Sequence, residues 1–361
     1  MNTKLSLTLL MIAVAARAED VGQPVTFAAR ASASFSVTAF GAGPRALFDS
    51  GDSDPVPEPW DTVLIQGFLP DPGVSFEAAR AGSARPDWIP LEVHRFPNGR
   101  FWARARAAIG PGPLRLRALD AGVSRDHAVD IYSVEAFVAG AEAPGAAVPP
   151  ARGPQNPDAK RPFVYPRSAW KALPPTQPYI SDPMPWRITL HHSDGRYTRT
   201  LQESLDEVRF IQDFHIHGRG WIDIGYHFAV DPLGNIIEGR PEGTLGAHTL
   251  GNNVGNVGIV LLGDYHPPVN DLPTAPELAA VTALGRYLVA RYGIRPDELK
   301  GHRDYMATAC PGDRAYAKLP VLRRALAAAP APPAPDLTRA RRAADAIFGF
   351  VPASFDARAS K

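Results

Sequence analysis

A proline-rich stretch divides this chain into two parts with different residue patterns. Seven prolines lie between Pro144 and Pro166, among Ala, Gly, Asn and Asp residues. Such a stretch can neither pack a core nor supply the hydrogen bonds of a sheet, and it is typical of a linker. With 361 residues and 45% hydrophobic content, the chain can bury a core on each side of it. We therefore expect two domains, with the linker over residues 141–164.

The first residues have the pattern of an export signal. Lys4 precedes an apolar run, and Ala16 and Ala18 supply the small residues that signal peptidase recognises. We expect a signal peptide over residues 1–18, cleavage before Glu19, and a periplasmic or secreted protein. The apolar run is too short to span a bilayer, and no other stretch approaches the roughly 20 residues that a spanning helix needs.

Cys310 is the only cysteine, so no internal disulfide can form in this exported chain. A lipid anchor on a cysteine after the signal is also excluded, because Glu19 stands there. The formal net charge of +1 gives no general attraction to nucleic acid or to anionic lipid. The thiol therefore needs another role, and any partner must be recognised locally.

Residues 19–140 alternate in character and are interrupted by Pro, Gly and Asp. Residues 62–65 and 101–106 are examples of such short alternating stretches. Period-two alternation with frequent turn signals predicts strands, and their number and spacing predict a small all-β sandwich. No cluster of reactive side chains occurs there, and His94 and His127 are expected to occupy ordinary strand or loop positions. A targeting or binding accessory domain is the functional interpretation.

Residues 165–328 change to alternating strands and helices. Capping boxes that begin at Thr200 and Thr274 predict two helices, the first of which should run to about His217. The run at residues 257–262 is apolar on both faces, as expected of a central strand covered by helices. This half is predicted to be an α/β domain with a mixed central sheet flanked by helices.

Residues 329–361 are interpreted as a C-terminal tail. A Pro- and Ala-rich start is followed by several arginines and then by Ile347 and Phe348. This pattern fits a short amphipathic helix that docks on the preceding domain or on another protein, and the composition does not choose between them.

Three residues of the second half form a candidate metal site. His191 follows a predicted strand, where its side chain can project into a cleft at the sheet edge. Seven residues separate His302 from Cys310, enough for a loop to bring both side chains to one point. Two imidazoles and a thiolate are a ligand set that Zn²⁺ favours, and three protein ligands leave a fourth position open for water. An open position is typical of a catalytic zinc.

Other interpretations remain open on spacing alone. A lone cysteine is most often a small core residue, and a histidine at a strand end is most often a satisfied polar group. A different site could pair His215 and His217 with His191. However, residues two apart on a helix point to different faces and do not easily share a metal.

An ordered set of motifs between Tyr165 and Arg324 is more specific. The motifs are Pro166–Trp170, Leu190–Ser193, Gly220–Phe228, Gly234–Arg240, Gly246–His248, Asn253–Gly258, and Gly301–Asp304 with Cys310–Asp313. Each is weak alone, but in this order they resemble the zinc-dependent N-acetylmuramoyl-L-alanine amidases of the type 2 family. That family includes phage lysozyme-type amidases and peptidoglycan recognition proteins. The resemblance covers about 160 residues.

The resemblance implies a role for each residue of the metal site. His191, the first histidine of the His191-His192 pair, joins His302 and Cys310 as a zinc ligand. His192 is then a neighbour that holds the loop or contacts substrate. At position 308, two residues before the cysteine, phage-type enzymes carry a catalytic lysine. This chain has Thr308 there, as the recognition-protein branch does, so the chain is closer to that branch.

The resemblance also implies which residues act on the substrate. Tyr226 is implied to direct its hydroxyl at the attacking water or at the developing oxyanion, and Thr308 is the second candidate to hydrogen-bond that charge. His248 and Asn253 are implied to line the groove for the sugar and the stem peptide. His227 is expected to pack or hydrogen-bond within the sheet.

These roles imply hydrolysis of the bond between N-acetylmuramic acid and L-alanine, in cell-wall lysis or remodelling. Val260 cannot supply the carboxylate that cytoplasmic recycling amidases carry on the equivalent strand, so that branch is disfavoured. The alternative is a non-catalytic muropeptide-binding sensor with the same fold. Cys310 favours catalysis, because recognition proteins that only bind usually carry a non-ligand there. We expect a monomer that binds peptidoglycan and no nucleic acid.

Overall fold

The computed structural model of the chain describes residues 23–24, 33–37, 45–56, 60–69, 72–82, 86–106, 112–120, 127–138 and 155–328. The signal peptide expected over residues 1–18, the tail over residues 329–361 and residues 141–154 of the predicted linker lie outside these ranges. Among the described helices, none is long and apolar enough to cross a membrane.

The N-terminal part of the described chain consists of antiparallel strands in two sheets. The strands are β1 (Gln23–Pro24), β2 (Ala33–Val37), β3 (Arg45–Asp52), β4 (Thr62–Phe68), β5 (Val74–Arg80), β6 (Ile89–Pro90), β7 (Glu92–Arg95), β8 (Arg100–Arg106), β9 (Leu114–Asp120) and β10 (His127–Phe137). One sheet has the order β1-β10-β4-β8-β7, with β2 also on β10, and the other has the order β3-β9-β5-β6. A single hydrophobic cluster contains side chains of both sheets, including Ile65 and Leu116.

Strand β9 shows how alternation in the sequence becomes a sheet with two different faces. Leu114, Leu116 and Ala118 are buried in the cluster between the sheets, whereas Arg115 and Arg117 are only partly buried. Successive side chains of a strand point to opposite faces, so the apolar positions meet the other sheet and the arginines stay near solvent.

The C-terminal part of the described chain is a mixed sheet with helices on it. Its elements are β11 (Arg187–His192), α1 (Leu201–Asp213), β12 (Phe228–Val230), β13 (Ile236–Glu238), β14 (Asn256–Leu261), α2 (Ala275–Tyr292), β15 (Leu299–Gly301), α3 (Asp313–Tyr316) and α4 (Leu319–Ala327). The sheet order is β13-β12-β14-β11-β15, and β13 is the antiparallel strand. The predicted mixed central sheet flanked by helices is confirmed.

The two predicted helix starts differ in detail. At Thr274 the capping box is complete, because the hydroxyl accepts from the Glu277 N–H and the Glu277 carboxylate accepts from the Thr274 N–H. At Thr200 the hydroxyl accepts from the Glu203 N–H, but the Glu203 carboxylate accepts from the Arg199 N–H instead. Helix α1 continues as a π-helical turn over Phe214–Arg219, which ends at Gly220.

Residues 155–164 were assigned to the linker from sequence, but they lie against the C-terminal domain. The Asn156 N–H donates to the carbonyl of Ala290, near the end of α2, over 2.7 Å. The Arg161 guanidinium lies 3.8 Å from the Glu238 carboxylate. This segment therefore finds its hydrogen-bond partners on the domain surface and belongs to that domain rather than to a free linker.

Strand β8 is covered on both of its faces. Phe101 and Ala103 point into the core between the two N-terminal sheets. Trp102 points the other way, into a cluster that includes Val208 and Phe210 of α1. The outer face of this N-terminal sheet therefore packs directly on the C-terminal domain.

Candidate metal centre

Parallel pairing places two of the predicted ligands side by side. Strand β11 pairs with β15 in a register that sets Leu190 opposite Gly301. The next residues, His191 and His302, therefore emerge at the same edge of the sheet, and their ring centroids lie 4.7 Å apart. Ligand sites of open parallel sheets typically form at this carboxyl edge.

The loop after His302 brings Cys310 back to the same point. The Arg303 N–H donates to the carbonyl of Cys310 over 3.0 Å, which closes the loop. The Cys310 Sγ lies 3.5 Å from the Nδ1 of His191. One ligand atom from each of His191, His302 and Cys310 lies within 4.8 Å of the others, so the structure brings all three predicted ligands together.

The electrostatic state of these three groups suits a cation. Burial lowers the pKa of His302 to about 4 and holds the pKa of His191 well below its ordinary value, so both imidazoles are neutral. Burial raises the pKa of the Cys310 thiol, so it keeps its proton while no cation is near. A coordinating thiol loses that proton when a metal binds.

One buried atom of the site lacks the partner that it needs. Within the part of the chain that the structure describes, the Nε2 of His302 is buried and has no hydrogen-bond partner. A buried polar atom without a partner is costly, and a metal ligated there would satisfy it. Two neutral imidazoles and a thiol are the donor set that zinc favours. The residues present therefore fit a zinc ion.

His248 fixes which nitrogen of His191 faces the site. The His248 Nε2 lies 3.1 Å from the carbonyl oxygen of Asn256, which can only accept, so this nitrogen carries the proton. Burial holds the pKa of His248 well below its ordinary value, so its Nδ1 is an acceptor, which the Thr249 hydroxyl also contacts over 3.0 Å. That Nδ1 lies 3.0 Å from the Nε2 of His191, which must donate to it. The His191 Nδ1 is then left as a lone pair that faces Cys310.

The position of the His248 ring explains two glycines of the sequence motifs. A Cβ atom at Gly246 or at Gly258 would lie 2.6 Å from the His248 ring. Any side chain there would displace the imidazole that orients His191. The two glycines therefore act on the metal site through packing.

The three residues expected to line the substrate groove make hydrogen bonds within the domain. His248 is 3% exposed, and His192 is 6% exposed with its Nδ1 accepting from the Tyr265 N–H over 3.3 Å. The Asn253 side-chain oxygen accepts from the N–H groups of His248 and Thr249 over 2.8 Å each. Both imidazoles are buried, and the role of these residues in lining a groove stays a prediction. All three residues hold loops in place.

Tyr226 lies beside the predicted ligands. Its ring centroid is 5.2 Å from that of His191. Burial and the neighbouring Cys310 raise the pKa of Tyr226, so its hydroxyl keeps its proton and can donate. Thr308, the other residue predicted to act in catalysis, accepts from the Cys310 N–H over 3.2 Å and so organises the ligand loop.

The sequence did not predict the structural roles of His215 and Asp223 in the segment before Tyr226. His215 accepts from the Gly225 N–H over 3.0 Å, so it fixes the residue before Tyr226. Asp223 is fully buried, and Arg167 lies 2.9 Å from its carboxylate. A buried carboxylate requires such partners, and Asp223 and Arg167 stand inside matching motifs, which is the signal that could have revealed them.

In the described structure, His217, His227 and His94 take positions outside the candidate metal site. His217 is bonded to Asp213 at the surface, so the described structure separates it from His191. His227 donates to the Thr244 carbonyl over 2.8 Å and accepts from the Gly258 N–H over 3.0 Å, in the packing role expected for it. His94, expected in an ordinary position, stacks on Trp102.

Comparison with known proteins agrees with this geometry. The chain matches the Amidase_2 family, described as N-acetylmuramoyl-L-alanine amidase, over residues 181–313. That range contains the three candidate ligands and Tyr226. Peptidoglycan-recognition protein LB of Drosophila melanogaster is 36% identical over 157 residues, which are 42% of this chain and 66% of that protein.

Of two further relatives, one is named as an amidase and the other as a recognition protein. The N-acetylmuramoyl-L-alanine amidase of Sus scrofa is 34% identical over 164 residues, which are 43% of this chain and 26% of that protein. Peptidoglycan recognition protein 1 of Bos indicus is 35% identical over 133 residues, which are 36% of this chain and 67% of that protein. The chain belongs to the type 2 N-acetylmuramoyl-L-alanine amidase and peptidoglycan recognition protein superfamily.

Proposed function

We propose that this protein is a zinc-dependent amidase that hydrolyses the bond between N-acetylmuramic acid and L-alanine in peptidoglycan. The observation that carries the proposal is the meeting of two buried imidazoles, His191 and His302, with the partly buried Cys310 thiol, within 4.8 Å of one another. Tyr226 lies beside them with a protonated hydroxyl. A site built only to bind a muropeptide would not need this donor set.

The chain's own residues would act on the carbonyl under attack. A zinc ion held here would polarise the amide carbonyl and lower the pKa of a bound water to about 7. The Tyr226 hydroxyl would donate a hydrogen bond to the oxyanion that develops on that carbonyl. The Thr308 oxygen accepts from the Cys310 N–H, so its own hydrogen is free to donate toward the same charge or to orient the water.

Digestion of purified sacculi tests the proposal. The zinc-loaded full chain is expected to release free stem peptides with new L-alanine amino groups, which mass spectrometry and amine labelling would detect. Treatment with EDTA should stop the release, and added zinc should restore it. A metal-loaded protein that binds muropeptides but produces no new amino groups would instead be a sensor.

The Tyr226→Phe variant tests the proposed oxyanion donor. We expect kcat to fall by about 10²–10³-fold, as for the loss of one oxyanion donor, with the zinc content unchanged. The control is Tyr287→Phe, which removes a hydroxyl that is bonded to Glu242 over 2.9 Å on the surface of α2. Full activity of Tyr226→Phe in the stem-peptide assay would show that this hydroxyl has no part in the reaction.

A further inference from the structure

The N-terminal sheets reach the loop that follows the metal-site strand. Gln66 of β4 donates from its Nε2 to the carbonyl of Asp194 over 3.1 Å. Asp194 lies three residues after His191, in the turn that ends β11. We propose that Gln66 is a positioning residue for the metal centre, which it supports from the other domain by fixing this turn. The inference rests on the proposed zinc site.

Arg100 determines which way the Gln66 amide points. The Arg100 Nη2 donates to the Gln66 Oε1 over 2.7 Å, and a guanidinium can only donate. The amide oxygen must therefore face Arg100, which leaves the Nε2 of Gln66 directed at Asp194. Arg100 is 1% exposed, and its Nε donates to the Glu207 carboxylate of α1 over 3.0 Å. The donor to the turn is thus held in a rigid, buried network.

The turn has a backbone conformation that requires support. Asp194 has a φ of 47°, in the left-handed region that residues other than glycine rarely adopt. On one side, the Ser193 Oγ accepts from the Gly263 N–H over 3.0 Å. On the other side, a Cβ at Gly195 would lie 3.1 Å from the Glu207 carboxylate, so the turn is packed on the interdomain network. Gln66 supplies the hydrogen bond on that second side.

The turn is connected to the ligands by a short path. His192 lies between His191 and the turn, and its Nδ1 accepts from the Tyr265 N–H over 3.3 Å. A shift of the turn would therefore move the end of β11, which carries His191. Groups that orient ligands from behind affect metal affinity even though they do not touch the metal.

Two substitutions of Gln66 test this role in the full chain. Gln66→Glu keeps the acceptor for Arg100 and removes the donor to Asp194, and Gln66→Met removes both groups without adding charge. The control is Trp102→Phe, which removes a different interdomain bond, the 2.9 Å bond from the indole N–H to Asp213. That bond lies at the same interface but does not touch the turn.

Hydrogen exchange and zinc affinity are the two measurements. Both Gln66 variants should show faster amide exchange in the peptide that covers residues 190–197, and should bind zinc about tenfold more weakly in competition with a chromophoric chelator. Trp102→Phe should leave both values at the wild-type level. If the Gln66 variants match Trp102→Phe in zinc affinity, the inference is overturned, while hydrolysis by the wild type still supports the proposed function. A wild type that binds no zinc overturns both.

Discussion

Replacing Cys310 with alanine is expected to abolish bound zinc and to lower the hydrolysis of peptidoglycan by about 10³-fold or more. The physical reason is that metal catalysis supplies several kcal/mol of charge stabilisation, and each 1.36 kcal/mol is tenfold in rate. Cys310 is the one candidate ligand that would carry a negative charge once bound, since His191 and His302 remain neutral. Zinc content after gel filtration and the release of stem peptides from sacculi are the measurements.

A second substitution separates ligation from packing. Cys310→Asp supplies an oxygen that can also ligate zinc, so part of the zinc content and part of the hydrolysis should return. If Cys310 were only a small core residue, alanine would preserve both, and the charged aspartate would be the more harmful change. An alanine variant that keeps one zinc per chain and its hydrolytic rate would rule out Cys310 as a ligand.

The metal site could be predicted because its residue types have few chemical uses and occur in ordered motifs. The burial of His192 and His248 could not be predicted, because a sequence does not show which side of a loop is packed. His248 illustrates both what a motif can predict and what it cannot. It was found by its motif, but its burial depends on Gly246 and Gly258, where a Cβ would lie 2.6 Å from the ring. The interpretation of these glycines requires three-dimensional neighbours.

Local sequence patterns predicted the strands and helices. They did not predict the contact between the N-terminal sheet and α1. The alternation in β9 predicts one buried face, and the structure has that face between the sheets. In β8 the residues Arg100 and Trp102 look like the outward positions of a half-buried strand, yet both are buried against α1. Arg100 meets Glu207 at a separation of 107 residues, which no local pattern can reveal.

This distant contact leads to the second large expected effect. Arg100→Met should lower the free energy of unfolding by about 3–5 kcal/mol, because it leaves the buried Glu207 carboxylate without its charge partner. Burial already raises the pKa of Glu207, and Arg100 opposes that shift. The variant also orphans the Gly67 carbonyl, which accepts from Arg100 over 2.7 Å. Urea unfolding of the full chain, followed by tryptophan fluorescence, measures the loss.

Two comparisons show whether the loss comes from the orphaned charge. Arg115→Met removes a partly exposed ion pair with Asp49 in the same domain, and solvent screening leaves such a pair little to contribute. The double variant Arg100→Met/Glu207→Met removes both charges of this buried pair. Much of the lost stability should therefore return. If the double variant is as unstable as Arg100→Met alone, the loss instead comes from the hydrogen bonds to Gln66 and Gly67. Those bonds tie β8 to β4 within the N-terminal sheet, so the loss would then reflect that sheet rather than the buried ion pair with α1.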